Sequence, residues 1–501
     1  MDNKIKRLID KYGVTEQTRA FFEQPIGMYI DGEFCDAHSK HCFDLIEPCT
    51  ESVLTQVPCA DTQDVDRAIA SAKKAFKESE WSRMKPNERE KVLHKLASLV
   101  EENMQTLAEI ESLNAGKAIS GCKAVDIAGS ADLIHYMAGW ATKIDGATRN
   151  VSAQGEHFAY TLKQPVGVVA AIVPWNWPFS MSIWKLAAPL AVGCTVVLKP
   201  SPLTPLSMLY FAQLCEQAGI PKGVVNIITG SSPEIGSYLV SHPEIDKISF
   251  TGSTQVGKKV GKAAMENVTP VTLELGGKSP MVVFADADID KVVNATQQSV
   301  FFNTGQVCSA GSRLYVQKAL YQQTIDAIVS KVKQIKIGDT LDPDCEMGPA
   351  ISKEHLHSVC AYIDSGIQQG ATMECGGRMH GQEGYFVKPT VFSNCTNDMK
   401  IVQQEVFGPV LVIIPFETEE QAVSLANDNI YGLAASVFTK DISCAQRMIH
   451  NLDAGTVWVN THDLVDSCIP FGGFKQSGFG KDMGPEQLDY FIKTKAVWIE
   501  V

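Results

Sequence analysis

Cys308 stands in Phe-Phe-Asn-Thr-Gly-Gln-Val-Cys-Ser-Ala-Gly-Ser-Arg, residues Phe301 to Arg313, where small neighbours leave a thiol open to an electrophile. Leu273 to Lys278, Leu-Glu-Leu-Gly-Gly-Lys, supplies a carboxylate, Glu274, set between leucines ahead of a Gly-Gly turn. Apolar walls penalise the charged form of a carboxyl and raise its pKa far enough for it to act as a base. A free thiol, with a pKa of about 8.5, is only a few per cent thiolate at neutral pH, so a nucleophilic cysteine needs such a base or a nearby positive charge. Cys308 and Glu274 are therefore a candidate nucleophile and base.

Two further segments could hold ligands. In Pro174 to Phe179, prolines on both sides of Trp175-Asn176-Trp177 pin a loop at the carboxyl end of a strand, where open α/β sheets bind ligands. The Asn176 amide either donates to a developing oxyanion or simply holds its own loop. Phe250 to Gly257, Phe-Thr-Gly-Ser-Thr-Gln-Val-Gly, leaves a strand and opens a helix. It is either a cradle for a pyrophosphate or an ordinary helix cap. The common G-x-G-x-x-G after a first Rossmann strand is absent, since Pro-Trp-Asn-Trp-Pro follows Val173.

The elements that position these segments alternate. After a polar, helix-prone start, Met28 to Asp36 and Cys42 to Cys59 read as short strands joined by turns. Asp61 to Phe76 and Asn87 to Gln105 read as amphipathic helices, with Val92, Leu93, Leu96, Leu99 and Val100 at helical spacing. The apolar run Val166 to Val173 predicts a buried parallel strand. Helices over 178–190, 205–219 and 233–241 then alternate with strands over 195–198, 224–228 and 247–250, the pattern of a doubly wound parallel sheet. A second series carries Cys308: a strand at 281–283, a helix at 289–302, a strand at 313–316, a helix at 320–333, and onward to about Phe438. Lys495 to Val501 reads as a terminal strand, expected to dock on another sheet, often a neighbouring subunit's. Cys308 itself is expected at or near a helix N-terminus.

Bulk composition narrows the classes. A chain of 501 residues, 45% hydrophobic and 20% charged, is expected to form about three domain-sized units. A net charge of −13 with no basic run disfavours a nucleic-acid partner. Fourteen dispersed cysteines, with no C-x-x-C pair and no histidines at metal spacing, point to reduced thiols and no metal site. The N-terminus has no apolar signal core, and the longest apolar stretch, Leu186 to Leu198, is short of the ~18–20 residues of a membrane span. A cytoplasmic protein without a membrane partner is expected.

These blocks, with Glu-Val-Phe-Gly-Pro at Glu405 to Pro409 and Pro-Phe-Gly-Gly-Phe-Lys-Gln-Ser-Gly-Phe-Gly at Pro470 to Gly480, resemble the NAD(P)-dependent aldehyde dehydrogenase superfamily in order and spacing from about Met28 onward. Within it, Trp458 to Asp489, including Asn-Thr-His-Asp-Leu-Val-Asp, is most similar to bacterial phenylacetaldehyde dehydrogenases. The resemblance implies an α/β fold: a Rossmann-type cofactor domain (1–142 and 165–277), an α/β catalytic domain (278–485) and a small oligomerisation β-extension (143–164 and 486–501), in a homo-oligomer. It implies Cys308 as nucleophile, Glu274 as base, Asn176 with the Cys308 N–H as oxyanion hole, and Lys185 with Asp482 as a proton relay. NAD, with NADP possible, would contact Ile172, Val173, Pro174, Trp175, Lys199, Ser201, Gly230, Gly252, Ser253, Thr254, Gly257, Glu274, Leu275, Gly276, Glu405 and Phe407. An aldehyde would enter past Trp177, Met181, Trp184, Phe302, Val307, Val465 and Phe471. That apolar funnel suits an arylacetaldehyde; its tryptophans, with Asp463 or Asp466 nearby, could equally cradle a cationic aminoaldehyde. Two departures stand out. The family's usual Lys-Pro-x-Glu is here Lys199-Pro200-Ser201-Pro202, removing the carboxylate that would repel a 2′-phosphate, and the relay position, often Glu, is Asp482.

Overall fold

The apolar run at 166–173 forms a strand because every ladder position is covered on both faces. In the computed structural model, which describes residues 2–381 and 383–501, it is β1 (Val168–Ile172) of an eight-stranded sheet. Its neighbours are β2 (Thr195–Lys199), β3 (Val225–Ile227), β4 (Lys247–Thr251) and β5 (Val271–Glu274). These five are parallel and lie in the order 3-2-1-4-5. Antiparallel strands complete the eight, Met28–Ile30 and then Glu33–Cys35 outside β3, and Gly478–Phe479 outside β5. The chain reverses its winding between β1 and β4, and a ligand crevice opens at their carboxyl ends there. β1 delivers Val173 to Asn176 to that crevice, β4 delivers Gly252 and Ser253, and β5 ends on Glu274.

A second sheet has six parallel strands: β6 (Pro280–Val283), β7 (Arg313–Gln317), β8 (Thr390–Ser393), β9 (Val410–Phe416), β10 (Ala434–Phe438) and β11 (Thr456–Val459). Their order is 8-9-7-6-10-11, with antiparallel Thr372–Cys375 outside β8. Three helices matter for the site: α1 (Ala128–Trp140), α2 (Pro178–Val192) and α3 (Thr254–Glu266). Every residue of α2 is buried, which its apolar sequence requires. Among the described residues no helix is long and apolar enough to cross a membrane, and no group of three or more His, Cys, Asp or Glu side chains could hold a metal ion.

Several expectations are corrected. The helix expected over 87–105 is Pro86–Glu102, and a second helix, Met104–Ala115, starts after a break at Asn103. The helix expected over 289–302 stops at Thr296, widens into a π-turn at Gln297–Phe301, and is broken by left-handed backbone at Asn303, Thr304 and Gly305. The terminal strand is longer than 495–501: Ile492–Glu500 pairs along its whole length with His157–Pro165 of the same chain, and Thr148–Arg149 completes a three-stranded sheet. Phe158, Leu162, Trp498 and Ile499 on that sheet are exposed.

Candidate active site

Cys308 lies in a turn between the left-handed Asn303–Gly305 run and β7, not at a helix N-terminus as the sequence suggested. No helix dipole therefore assists the sulfur. Side-chain bonds over-determine the turn. Asn303 Nδ2 donates to the Asn176 carbonyl at 2.9 Å, and Thr304 Oγ1 to the Gly348 carbonyl at 2.8 Å. Gln306 accepts from Ile351 N–H at 2.9 Å. Residues in sparsely populated backbone regions persist where surroundings hold them, and they cluster at functional sites. The Asn176 amide, buried at the entry to α2, donates one hydrogen to the Gln306 carbonyl at 2.8 Å and so ties the β1 loop to the cysteine turn. Its second amide hydrogen remains for another acceptor.

The Gly-Gly after Leu275 is required by close approach. A Cβ at Gly277 would fall 2.4 Å from the Cys308 carbonyl, and one at Gly276 would collide with the Glu405 carboxylate. These two positions let the cysteine turn and the Glu405 loop converge on the end of β5. Glu405 Oε1 accepts from Gly277 N–H at 3.1 Å. Burial pushes the Glu405 carboxyl up to about 7, against the pull of Lys278. Glu274 is buried with neither carboxylate oxygen hydrogen-bonded. Burial first, and Asp482 second, push it well above the usual carboxyl range, against Lys185 and Lys481. Behind it Lys185 Nζ lies 2.5 Å from Asp482 Oδ2, with both side chains buried, and Gln487 donates to the other Asp482 oxygen at 3.0 Å. The Cys308 thiol is pushed up to about 12 by burial, then by Glu405, Asp463 and Glu274.

Cys308, Glu274 and Asp482 all face one cavity of about 660 Å³. All seven residues expected along the aldehyde path line it: Trp177, Met181, Trp184, Phe302, Val307, Val465 and Phe471. Trp177 stacks on Phe302 (centroids 5.8 Å apart), and Trp184 meets Phe471 edge-on at 5.5 Å. Asp463 and Asp466 line it too. Sequence reasoning missed Asp132 and Tyr136, which α1 brings in, and His462. It also missed Lys117, which is paired with Asp126 at 2.6 Å and sits 3.6 Å from the Trp177 ring centroid.

The expected cofactor residues gather at the β1–β4 crevice. Ser253 caps α3 through Val256 N–H at 3.3 Å, which leaves the N–H groups of Thr254 and Gln255 without intrahelical partners. Lys199 ends β2. Its buried ammonium has only the Gly230 carbonyl at 3.4 Å, and burial brings it down to about 8. Ser201 is buried beside it. Gly257 packs α3 directly on Leu275. Phe407 meets Trp175 edge-on at 5.2 Å, and its carbonyl lies 2.7 Å from His355 Nε2. A buried, unpaired ammonium and exposed helix N–H groups in one crevice fit a dinucleotide phosphate and ribose.

The sequence matches the Aldehyde dehydrogenase family over residues 34–497. It is 45% identical to an aldehyde dehydrogenase of Davidiella tassiana over 481 residues, 96% of each chain. Among solved structures it resembles an NAD+ complex of aldehyde dehydrogenase from Bacillus cereus, with a TM-score of 0.96 and 43% identity, covering 97% of this chain and 99% of that one. It also resembles betaine aldehyde dehydrogenase from Staphylococcus aureus in complex with NAD+, with a TM-score of 0.94 and 39% identity, covering 97% of each.

Proposed function

This chain belongs to the aldehyde dehydrogenase family and is an NAD(P)-dependent oxidoreductase of aldehydes; we propose that its substrate is an arylacetaldehyde of the phenylacetaldehyde type, oxidised to the acid. The observation that carries the substrate class is the state of Trp177. Lys117 sits over its ring, and Phe302 stacks on the same indole. With Lys117 and Phe302 already against its π surface, we infer that the indole offers a ligand chiefly its edge. The edge is the positive part of the ring quadrupole; it meets an aryl face well and an ammonium poorly. Trp184 and Phe471 add apolar area to bury.

In this reading the Cys308 thiol passes its proton to solvent water in the cavity, and the thiolate attacks the aldehyde carbon. The free amide hydrogen of Asn176 and the Cys308 N–H hold the oxyanion; one such donor is typically worth ~3–4 kcal/mol. Bound NAD(P)+ supplies the hydride acceptor. Loss of hydride from the thiohemiacetal carbon leaves a thioester on Cys308. Glu274, whose raised pKa makes it a strong base once deprotonated, takes a proton from water, and the hydroxide releases the acid. The Lys185–Asp482 pair behind it passes that proton on. Lys199 would hold the adenosine ribose, Ser253 and the α3 N-terminus the pyrophosphate, Glu405 the nicotinamide ribose, and Phe407 would pack near the ring. Pro202 puts no carboxylate against a 2′-phosphate, so both NAD and NADP are accepted. The protein works in the cytoplasm as a homo-oligomer joined through the exposed apolar residues of the three-stranded sheet.

A second reading has its own support: Asp132, Asp463 and Asp466 line the cavity, and no Lys or Arg does so among the described residues. That wall would suit a cationic aminoaldehyde or betaine aldehyde. Comparing kcat/KM for phenylacetaldehyde and 4-aminobutanal decides between them. A clear preference for the amine overturns the aryl assignment.

A further inference from the structure

His462 faces the cavity yet is almost wholly buried, and both of its ring nitrogens are engaged. It lies in the Asn-Thr-His-Asp segment, and no role assigned so far uses the histidine itself. Nε2 lies 2.9 Å from the carbonyl oxygen of Ser309, the residue after the nucleophile. A carbonyl only accepts, so Nε2 carries the hydrogen, and Nδ1 is left to accept from the Ser436 hydroxyl on β10. The ring packs 4.8 Å from the Trp458 ring on β11, and a Cβ at Gly311 would come within 3.2 Å of its Cε1. β10 and β11 are paired strands, so a rigid sheet edge fixes the imidazole, and the imidazole fixes the Ser309 carbonyl. On the other side of the same residue, the Ser309 N–H faces the Cys308 sulfur and works against the burial that pushes the thiol up.

We propose that His462 is a positioning residue of the oxidation, clamping the Cys308–Ser309 turn to β10 and so setting the aim of the sulfur and its neighbouring backbone N–H groups at the aldehyde carbon. It needs no contact with substrate. The inference rests on Cys308 being the nucleophile. Displacement of reacting groups by about 1 Å costs up to roughly a hundredfold in rate, and such a loss belongs to kcat rather than to uniform binding.

His462→Phe keeps the ring and removes both bonds, whereas His462→Gln keeps an N–H for Ser309 and a carbonyl toward Ser436. His462→Phe is expected to lower kcat by roughly tenfold to a hundredfold with the aldehyde KM changed less than about twofold. It should also slow iodoacetamide labelling of Cys308 in cofactor-free protein, read on the Cys308 peptide by mass spectrometry. His462→Gln should restore most of both. If His462→Phe does not fold, His462→Asn, too short to reach the Ser309 carbonyl, is read the same way. Turnover and labelling within about twofold of the parent in the variant lacking the clamp, or no rescue by glutamine, overturn the proposal. Continued turnover by Cys308→Ala is a different result: it removes the nucleophile on which the clamp would act.

Discussion

Replacing Glu405 by glutamine should make Cys308 more reactive in the cofactor-free protein. The thiol is pushed up to about 12 by burial first, and among the charged groups Glu405 weighs most. At about pH 9 that leaves roughly one sulfur in a thousand as thiolate. A like charge close enough to weigh first among the charged groups, acting through an effective dielectric of about 20, is worth on the order of 1–2 kcal/mol. Removing it should therefore raise the thiolate fraction about tenfold. The sign depends on pH. Glu405 is itself raised to about 7, so it is charged above that value and protonated below it. The gain should be largest near pH 9 and fade below about pH 6. The assay is the rate of iodoacetamide labelling at Cys308 across that range, with NAD(P) absent. An unchanged or slower rate at about pH 9 in Glu405→Gln refutes the electrostatic argument. A parent rate that levels off near pH 7 does so equally, because the sulfur would then ionise far below the value its burial demands.

Glu274→Gln should acylate and then stall, with kcat down by roughly 10²–10⁴ and a thioester adduct visible by intact-protein mass spectrometry; unimpaired steady-state turnover would exclude Glu274 as the base. Lys199 is brought down to about 8 by burial, so its charge is present below that pH and is lost above it. The dissociation constant for NADP+, followed by fluorescence titration, should therefore rise as pH increases through about 8, and Lys199→Met should weaken binding at least about tenfold while removing this pH dependence.

What could be read from the sequence is what the chain encodes locally. β1 is an apolar run followed by proline and ends where the crevice opens, so the Asn176 loop could be placed before any fold was seen. β5, Val-Thr-Leu-Glu, has no apolar run to announce it, and Glu274 is legible only from its flanking leucines and Gly-Gly turn. The overrun of the helix expected over 289–302 has an equally local cause. Apolar periodicity continues through 289–302, but Asn303, Thr304 and Gly305 turn left-handed, and Asn-Thr-Gly is turn chemistry that should have outweighed the period. α1 gave little signal because the positions off its buried face include Gly129, Tyr136, Gly139 and Trp140, which give little hydropathy contrast, so Asp132 and Tyr136 reach the cavity from a segment with no clear polar face. The largest gap concerns charge behind a wall. In the sequence Trp177 is a free aromatic, equally able to receive an aryl group or an ammonium. Only the fold brings Lys117 to 3.6 Å from its ring centroid, and on the proposed aryl reading that buried cation, held by Asp126, disfavours a second cation at the indole. On the aryl reading proposed above, substrate class turns on a residue that does not line the cavity, and such a residue has no spacing by which a sequence could announce it.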